Sequence, residues 1–125
     1  MGGTNKMINS ETNNEVLSYA IEITKKVVNS IIPQSIDCVG TVTKVIPTNK
    51  WYVPNGVSIY IEGTGTYSDV LRLGLQVAVP DYFMFFDNFD RKDFEEYFVP
   101  VIKQSVIELY VEFTRKVKEI YEYES

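Results

Sequence analysis

The chain contains no histidine, the side chain that most often carries chemistry at neutral pH. Histidine is the usual general base, the usual activator of serine and cysteine nucleophiles, and the commonest metal ligand. Three carboxylates near predicted strand ends, Glu62, Asp69 and Asp81, leave a histidine-free acid–base hydrolase as an alternative, but nothing in their spacing selects a pair. We therefore predict a protein that is not an enzyme.

Two further features could in principle serve a metal or a cofactor, and neither has the required spacing. Cys38 is the only cysteine, so it has no second thiol for a metal site or a disulfide, and we interpret it as a small packed residue in a strand. The stretch Gly63-Thr64-Gly65 lacks both the third glycine of a dinucleotide fingerprint and the Gly-Lys-Ser/Thr of a phosphate-binding loop. We predict a hairpin turn there, and no cofactor.

An acidic cluster before the last predicted helix is the best candidate for a cation site. Its members are Asp81, Asp87, Asn88, Asp90 and Asp93. An EF-hand loop needs oxygen ligands at its first, third and fifth positions, and counting from Asp87 places Phe89 third and Arg91 fifth. Asp90 and Asp93 are explained instead as the N-cap and the N3 carboxylate of the last helix. We predict no metal site.

The length and composition indicate one folded domain. The 125 residues can bury one core, and nine tyrosines and seven phenylalanines argue against disorder. No apolar run approaches the roughly 20 residues of a membrane span, and no signal peptide opens the chain, so we expect no membrane association and a cytoplasmic location. The net charge of −5 repels phosphate backbones, so we expect no nucleic-acid partner.

The last third of the chain has the clearest pattern, an apolar stripe with a period near 3.6 that predicts a long helix over residues 90–123. The stripe consists of Phe94, Phe98, Ile102, Val106, Leu109, Phe113, Val117 and Ile120. Pro100 lies within this pattern, so we expect it to kink the helix or divide it near Val99.

A first helix is predicted over residues 13–32. Thr12 and Glu15 form a capping box, apolar residues follow at helical spacing, and Pro33 ends the pattern. We expect residues 1–11, which are polar and without period, to be a flexible lead-in, and residues 12–125 to form a single domain.

Between the helices the period changes to two, which predicts strands. In the segments 57–62 and 71–79 apolar and polar residues alternate, and 37–46 is β-branched. We predict a two-layer α-β-β-β-α sandwich, an α+β fold with both helices on one face of a three- to four-stranded antiparallel meander. Residues 82–86 are either a fourth strand or a loop packed under the helices. A small OB-like barrel over residues 36–89 is the alternative.

The last helix carries more apolar residues than one core stripe requires, and a helix that is apolar around much of its circumference is usually buried on more than one side. The surplus residues that we predict to form an interface are Tyr97, Val101, Ile107, Tyr110 and Val111. We therefore predict a non-catalytic interaction or assembly module that forms a homo-oligomer or binds a protein partner. The composition suggests a phage or viral accessory protein, either a virion part or an inhibitor of a host factor, located in the host cytoplasm or the virion.

The alternative function is binding of a small, nucleotide-like ligand. Trp51, Tyr52, Tyr60 and Tyr67 lie on or beside predicted strands and could form an aromatic surface on the sheet face opposite the helices. Aromatic side chains stack on bases whatever their sequence, which makes such a surface suitable for a nucleotide.

Overall fold

The computed structural model describes the chain except residues 1, 49–52, 54, 86–88 and 125, together with the side chains of 2–14, 85, 123 and 124. Its elements, in chain order, are α1 (Gly2–Ile31), β1 (Ser35–Ile36), β2 (Val39–Thr48), β3 (Gly56–Gly63), a 3-10 turn (Gly65–Tyr67), β4 (Arg72–Ala78), α2 (Asp81–Phe85) and α3 (Arg91–Glu124). The predicted α+β fold is confirmed. Both long helices pack against the sheet, and the core lies between the two layers.

The sheet is an antiparallel meander in the order β1-β2-β3-β4. Its fourth strand is the short β1 and not residues 82–86, whose described part belongs to α2. Within the described residues β1 and β4 lie at opposite edges, so the sheet is open and the OB-like barrel is wrong.

The strand register places one set of apolar residues on the inner face of the sheet. The cross-strand pairs on this face are Val57 with Val77, Ile59 with Leu75, and Ile61 with Leu73. The three β3 members of these pairs are fully buried, because β3 is a central strand with helices above it. Since side chains alternate along a strand, the even-numbered residues of β2, β3 and β4 form the outer face.

Helix α1 begins at Gly2, well before the predicted cap at Thr12, so the capping box does not start the helix. Once the packed segment after Glu15 is helical, each further residue adds one hydrogen bond without a new nucleation step, and no proline interrupts the chain before Pro33. The flexibility of residues 1–11 stays a prediction. The predicted end of α1 is confirmed to within one residue.

Helix α3 is continuous from Arg91 to Glu124, so Pro100 does not divide it. The predicted N-cap is confirmed, because the Asp93 N–H donates to Asp90 Oδ1 at 3.0 Å. Seven residues of the predicted stripe are buried and the eighth, Ile120, is half-buried. The carbonyl of Glu96 would accept the hydrogen bond that Pro100 cannot donate, and both residues are exposed, so water can take the place of this donor.

The middle of the aromatic run after β4, Phe83 and Met84, packs beneath the helices. The Phe83 ring of α2 meets Phe94 edge-on at 5.0 Å, and Phe94 stacks on Phe98 at 4.8 Å. Phe83 and Met84 are buried. The short helix therefore closes one end of the core.

Cys38 is not a packed strand residue. It is exposed and forms, with Asp37, the two-residue turn between β1 and β2. Both residues have positive φ (49° for Asp37 and 71° for Cys38), as the twist of a tight hairpin requires. The Tyr121 hydroxyl donates to the Asp37 carbonyl and so joins the end of α3 to this turn.

Candidate functional site

The side of α3 opposite its core stripe is exposed along most of the helix. Successive residues at three- and four-residue steps lie on this side: Tyr97, Pro100, Gln104, Ile107, Val111, Thr114 and Lys118. We name them the α3 outer face. All are exposed except Thr114, which is half-buried.

Three of the five predicted interface residues are exposed on this face. Tyr97 is 46% exposed, Ile107 45% and Val111 61%. The other two, Val101 and Tyr110, are half-buried and pack against the core, so they belong partly to the fold of the monomer. The sequence pattern does not separate the exposed residues from the half-buried ones. How much of the helix surface is buried depends on the neighbouring elements that pack against it.

The structure brings Ile107, Tyr110 and Val111 together within little more than one helical turn. We name these three residues the α3 patch. Tyr97 lies about 15 Å further along the helix, at about 1.5 Å per residue. Its ring centroid is 6.1 Å from that of Phe83, so α2 partly covers it. Tyr97 is therefore a separate apolar site and not part of the α3 patch.

A groove of about 440 Å³ adjoins the α3 patch. Its lining residues are Tyr110, Val111, Thr114, Arg115 and Lys118. The Thr114 hydroxyl donates to the Tyr110 carbonyl at 2.9 Å, which satisfies it within the helix. The floor of the groove can therefore accept an apolar side chain without leaving a polar group unpaired.

Arg115 is held at the edge of this groove by two carboxylates of the same helix. Its guanidinium donates to Glu112 and, at 2.6 Å, to Glu119. The hydrogen bond with Arg115 lowers the pKa of Glu112, and the same bond raises the pKa of Arg115. The rim is therefore charged, which is the usual surrounding of an apolar contact patch.

The predicted aromatic surface is only partly within the described residues, because Trp51 and Tyr52 lie outside them. Tyr60 and Tyr67 are both half-buried but are not brought together. Tyr60 belongs to the outer face of the sheet, where its ring lies across Gly74: a Cβ at Gly74 would be 2.4 Å from the ring. Tyr67 packs against the core from the 3-10 turn.

A recess of about 200 Å³ lies beside Tyr60, bounded by Gly74, Leu73 and the ion pair of Glu62 and Arg72, whose charged atoms are 3.3 Å apart. Small-molecule sites are usually larger, about 300–1,000 Å³. The recess is therefore a poor fit for a nucleotide.

The described part of the acidic cluster serves the fold. Asp90 caps α3, Asp81 begins α2, and Asp87 and Asn88 lie outside the described residues. Among the residues that the structure describes, no three potential metal ligands come together.

One polar contact that joins the two long helices has no signal in the sequence. The Tyr19 hydroxyl of α1 donates to Glu95 of α3 at 2.5 Å, and the Arg91 guanidinium lies over the Tyr19 ring at 4.7 Å. The hydrogen bond to Glu95 raises the pKa of Tyr19. Because Tyr19 and Glu95 are far apart in the chain, no local pattern could pair them.

Comparison with known proteins adds no relative: no protein family, no curated protein and no solved structure matches the chain. Within the described residues, neither long helix combines the length and the apolar character that a membrane span requires.

Proposed function

We propose that the chain is a non-catalytic protein-interaction module that associates with itself through the α3 patch. The observation that carries the proposal is the presence of large apolar residues on two opposite sides of α3. One side, from Phe94 to Val117, is buried in the monomer, and the other exposes Ile107 and Val111 near the middle of the helix.

The apolar burial available from this patch is modest per residue and is doubled in a symmetric contact. Complete burial of an exposed Ile or Val gains about 1.5–3 kcal/mol, and since Ile107 and Val111 are roughly half exposed, each would gain about 1 kcal/mol. A symmetric dimer uses every contact twice, because the same patch is present on both chains. Tyr110 adds an aromatic ring, the side-chain type that most often dominates interface energies.

Charge also favours a second copy as the occupant. Lys103, Arg115 and Lys118 lie around the α3 patch, and so do the carboxylates Glu108, Glu112 and Glu119. In a symmetric contact this mixed border meets its own copy, so basic residues of one chain can lie beside acidic residues of the other.

The experiment is the solution mass by light scattering over a wide concentration range, for the wild type and for Val111→Glu and Ile107→Glu. We expect the wild type to exceed 14.4 kDa by at least twofold, and each variant to have a lower mass than the wild type while remaining folded by circular dichroism. Ser18→Glu is the matched control, since it adds the same charge at an exposed position of α1. It should leave the mass unchanged.

Two results would refute the proposal. A wild type that stays at 14.4 kDa at every concentration would show that the α3 patch does not bind a second copy. Unfolding of Val111→Glu, at a position 61% exposed, would show that the patch belongs to the core.

Self-association is compatible with either role that the composition suggests, a virion part or an inhibitor that covers a host factor. In the first role the oligomer is the functional unit. In the second it presents the same binding surface more than once, and linked binding sites increase the strength of attachment. The viral origin stays a prediction.

A further inference from the structure

The outer edge of β4 has unpaired backbone groups. Gly63 N–H donates to the Leu71 carbonyl at 2.8 Å and Val79 N–H to the Asn55 carbonyl at 2.9 Å, so the odd-numbered residues of this strand hydrogen-bond to β3. In an antiparallel ladder the residues between them direct their N–H and C=O groups to the opposite side. For β4 these are Arg72, Gly74, Gln76 and Ala78.

Arg72, Gly74 and Ala78 are exposed, and Gln76 is half-buried. Gly74 has no side chain, so its exposed surface is that of its backbone. Among the described residues, no hydrogen bond to a group outside the sheet is found for the backbone of Arg72, Gly74, Gln76 or Ala78.

The other long edge, that of β2, is blocked at its two ends. Thr64 N–H donates to the Gly40 carbonyl at 3.0 Å, so the even-numbered residues of β2 bond to β3 and the odd-numbered ones face outward. Of these outward residues, Thr41 donates its N–H to the Gln34 carbonyl at 2.9 Å, and Pro47 has no N–H to offer. Proline and covering segments are the devices by which proteins block edge pairing.

The edge of β4 lacks such protection. It contains no proline, and its single charged residue, Arg72, is its first residue and is paired with Glu62 on the neighbouring strand. On its inner face Leu73 and Leu75 are only half-buried, although their partners on β3 are fully buried. An additional strand at this edge would cover both leucines.

We propose that β4 pairs antiparallel with β4 of a second copy, about a two-fold axis that passes beside Leu75. In this register Arg72 lies opposite Ala78 of the second copy and Gly74 opposite Gln76, and every outward backbone group of the strand finds a partner. The pairing forms about eight hydrogen bonds, two for each hydrogen-bonded pair. A shift by two residues in either direction removes one such pair.

The side chains also favour the same strand as partner. On the inner face Leu75 meets Leu75 of the second copy and Leu73 meets Val77, so apolar residues lie opposite apolar residues. On the outer face Arg72 meets an alanine, so no like charges face each other. The two sheets would become one eight-stranded sheet.

This surface is distinct from the α3 patch, so the inference goes beyond the proposed function and does not depend on it. A chain with two self-complementary surfaces forms a closed tetramer if the two axes intersect at right angles, a larger closed ring at certain smaller angles, and an extended chain if the axes do not intersect. The mass of the wild type should then exceed that of a dimer, and removal of either surface should leave the dimer formed by the other.

The first test is a disulfide at the proposed axis. Leu75→Cys in a Cys38→Ser background places two cysteines opposite each other with Cα atoms about 4.5 Å apart, within the range of a disulfide. Leu73→Cys in the same background is the matched control, because the two copies of this position would be about 13 Å apart, at about 3.3 Å per residue. We expect mild oxidation to form the covalent dimer with Leu75→Cys and not with Leu73→Cys. Equal cross-linking of both variants, or none of either, would overturn the register.

The second test is amide hydrogen exchange of the wild type at low and high concentration. The amides of Gly74, Gln76 and Ala78 should become protected as the concentration rises, whereas those of Leu73, Leu75 and Val77 should be protected at both. Rapid exchange of the first three at every concentration would overturn the proposal, whatever the α3 patch does.

A variant of the edge separates this surface from the α3 patch. Gln76→Pro removes an outward donor and no bond to β3, so we expect a folded protein whose assembly falls to the dimer formed by α3 alone. Thr43→Pro removes an outward donor from β2 and is the matched control, with no expected change in mass. If the α3 proposal alone fails, Val111→Glu leaves the mass unchanged while the cross-link at position 75 still forms.

Discussion

Replacement of Pro100 by alanine should stabilise the protein, because Pro100 lies inside a continuous 34-residue helix. A proline in a helix interior costs about 3 kcal/mol relative to alanine, through the missing hydrogen bond and the contact of its ring with the preceding turn. Here the exposed Glu96 carbonyl can bind water instead, which reduces the cost. Proline also restricts the unfolded chain, and its loss returns about 0.4–1 kcal/mol to the unfolded state. We therefore expect a net gain of roughly 1–2 kcal/mol.

Urea denaturation, followed by circular dichroism, measures this gain. For a domain of this size the denaturant slope is about 1–3 kcal/mol per molar, so the midpoint should rise by roughly 1 M with an unchanged slope. The comparison belongs in a Val111→Glu, Gln76→Pro background, in which both proposed surfaces are removed, because self-association raises the apparent stability of every variant. Lys103→Ala, at an exposed position one turn further along, should change the free energy of unfolding by less than about 0.5 kcal/mol.

A lower midpoint for Pro100→Ala would refute this reasoning. It would mean that the altered helix geometry at Pro100 is needed to seat both Phe98 and Ile102 in the core, so that a regular helix displaces one of them. The change would then have to appear as a loss of packing on both sides of the proline. Near-ultraviolet circular dichroism of the aromatic cluster around Phe94 would detect it.

Two further predictions concern the core and the contact between the long helices. Phe98→Ala and Leu109→Ala, at buried positions of α3, should each lower the free energy of unfolding by about 2–5 kcal/mol in urea titrations, and a loss below 1 kcal/mol would contradict their place in the core. The hydrogen bond to Glu95 raises the pKa of Tyr19, so its contribution should be fully present below about pH 10 and lost as the pH rises through the folded pKa. Unfolding measured against pH should show this alkaline loss in the wild type and less of it in Tyr19→Phe; identical curves would argue that the contact contributes nothing.

The parts of the fold that sequence could predict are those in which one local pattern decides the structure. The stripe from Phe94 to Ile120 has a helical period and an acidic cap, which together predict a helix. In β4 large apolar residues alternate with small or polar residues without interruption, which predicts a strand. The predicted start of α1 at Thr12 is wrong, because a capping residue permits a helix to begin but does not prevent an established helix from extending further. Residues 82–86 had no period, and only the contact of Phe83 with Phe94 in the folded protein explains α2.

The prediction that Cys38 is a packed strand residue is wrong for a different reason. A two-residue hairpin turn with positive φ at both positions is recognised in sequence by Asn-Gly or Asp-Gly, and Asp37-Cys38 supplies only the aspartate. The strand β1 that it connects is two residues long, too short to show any alternation. This element therefore depends on tertiary contacts, among them the bond from Tyr121 to Asp37.

The candidate site was predictable in its location but not in its boundaries. Helical spacing places Val101 and Tyr110 off the core stripe, yet both are half-buried because neighbouring elements cover the flanks of α3. Ile107 and Val111 lie further around the helix, beyond this cover. Sequence spacing gives the angle of a residue around its helix. Its exposure depends on how far around the helix the neighbouring elements extend.

The position of Ile107 and Val111 along α3 argues that their apolar character requires a partner. Both lie within the segment Phe94–Val117, where the core side of the helix is already packed, so they are not part of a helix end that lacks a sheet to cover it. In the monomer they gain little burial, and β-branched residues favour a helix less than lysine or glutamate do, by a few tenths of a kcal/mol each. A lysine at either position would therefore suit the isolated monomer at least as well. The apolar residues are an advantage only if another surface covers them. Replacement of both by lysine should abolish association through the α3 patch, leaving the dimer formed by β4, without lowering the stability of the monomer.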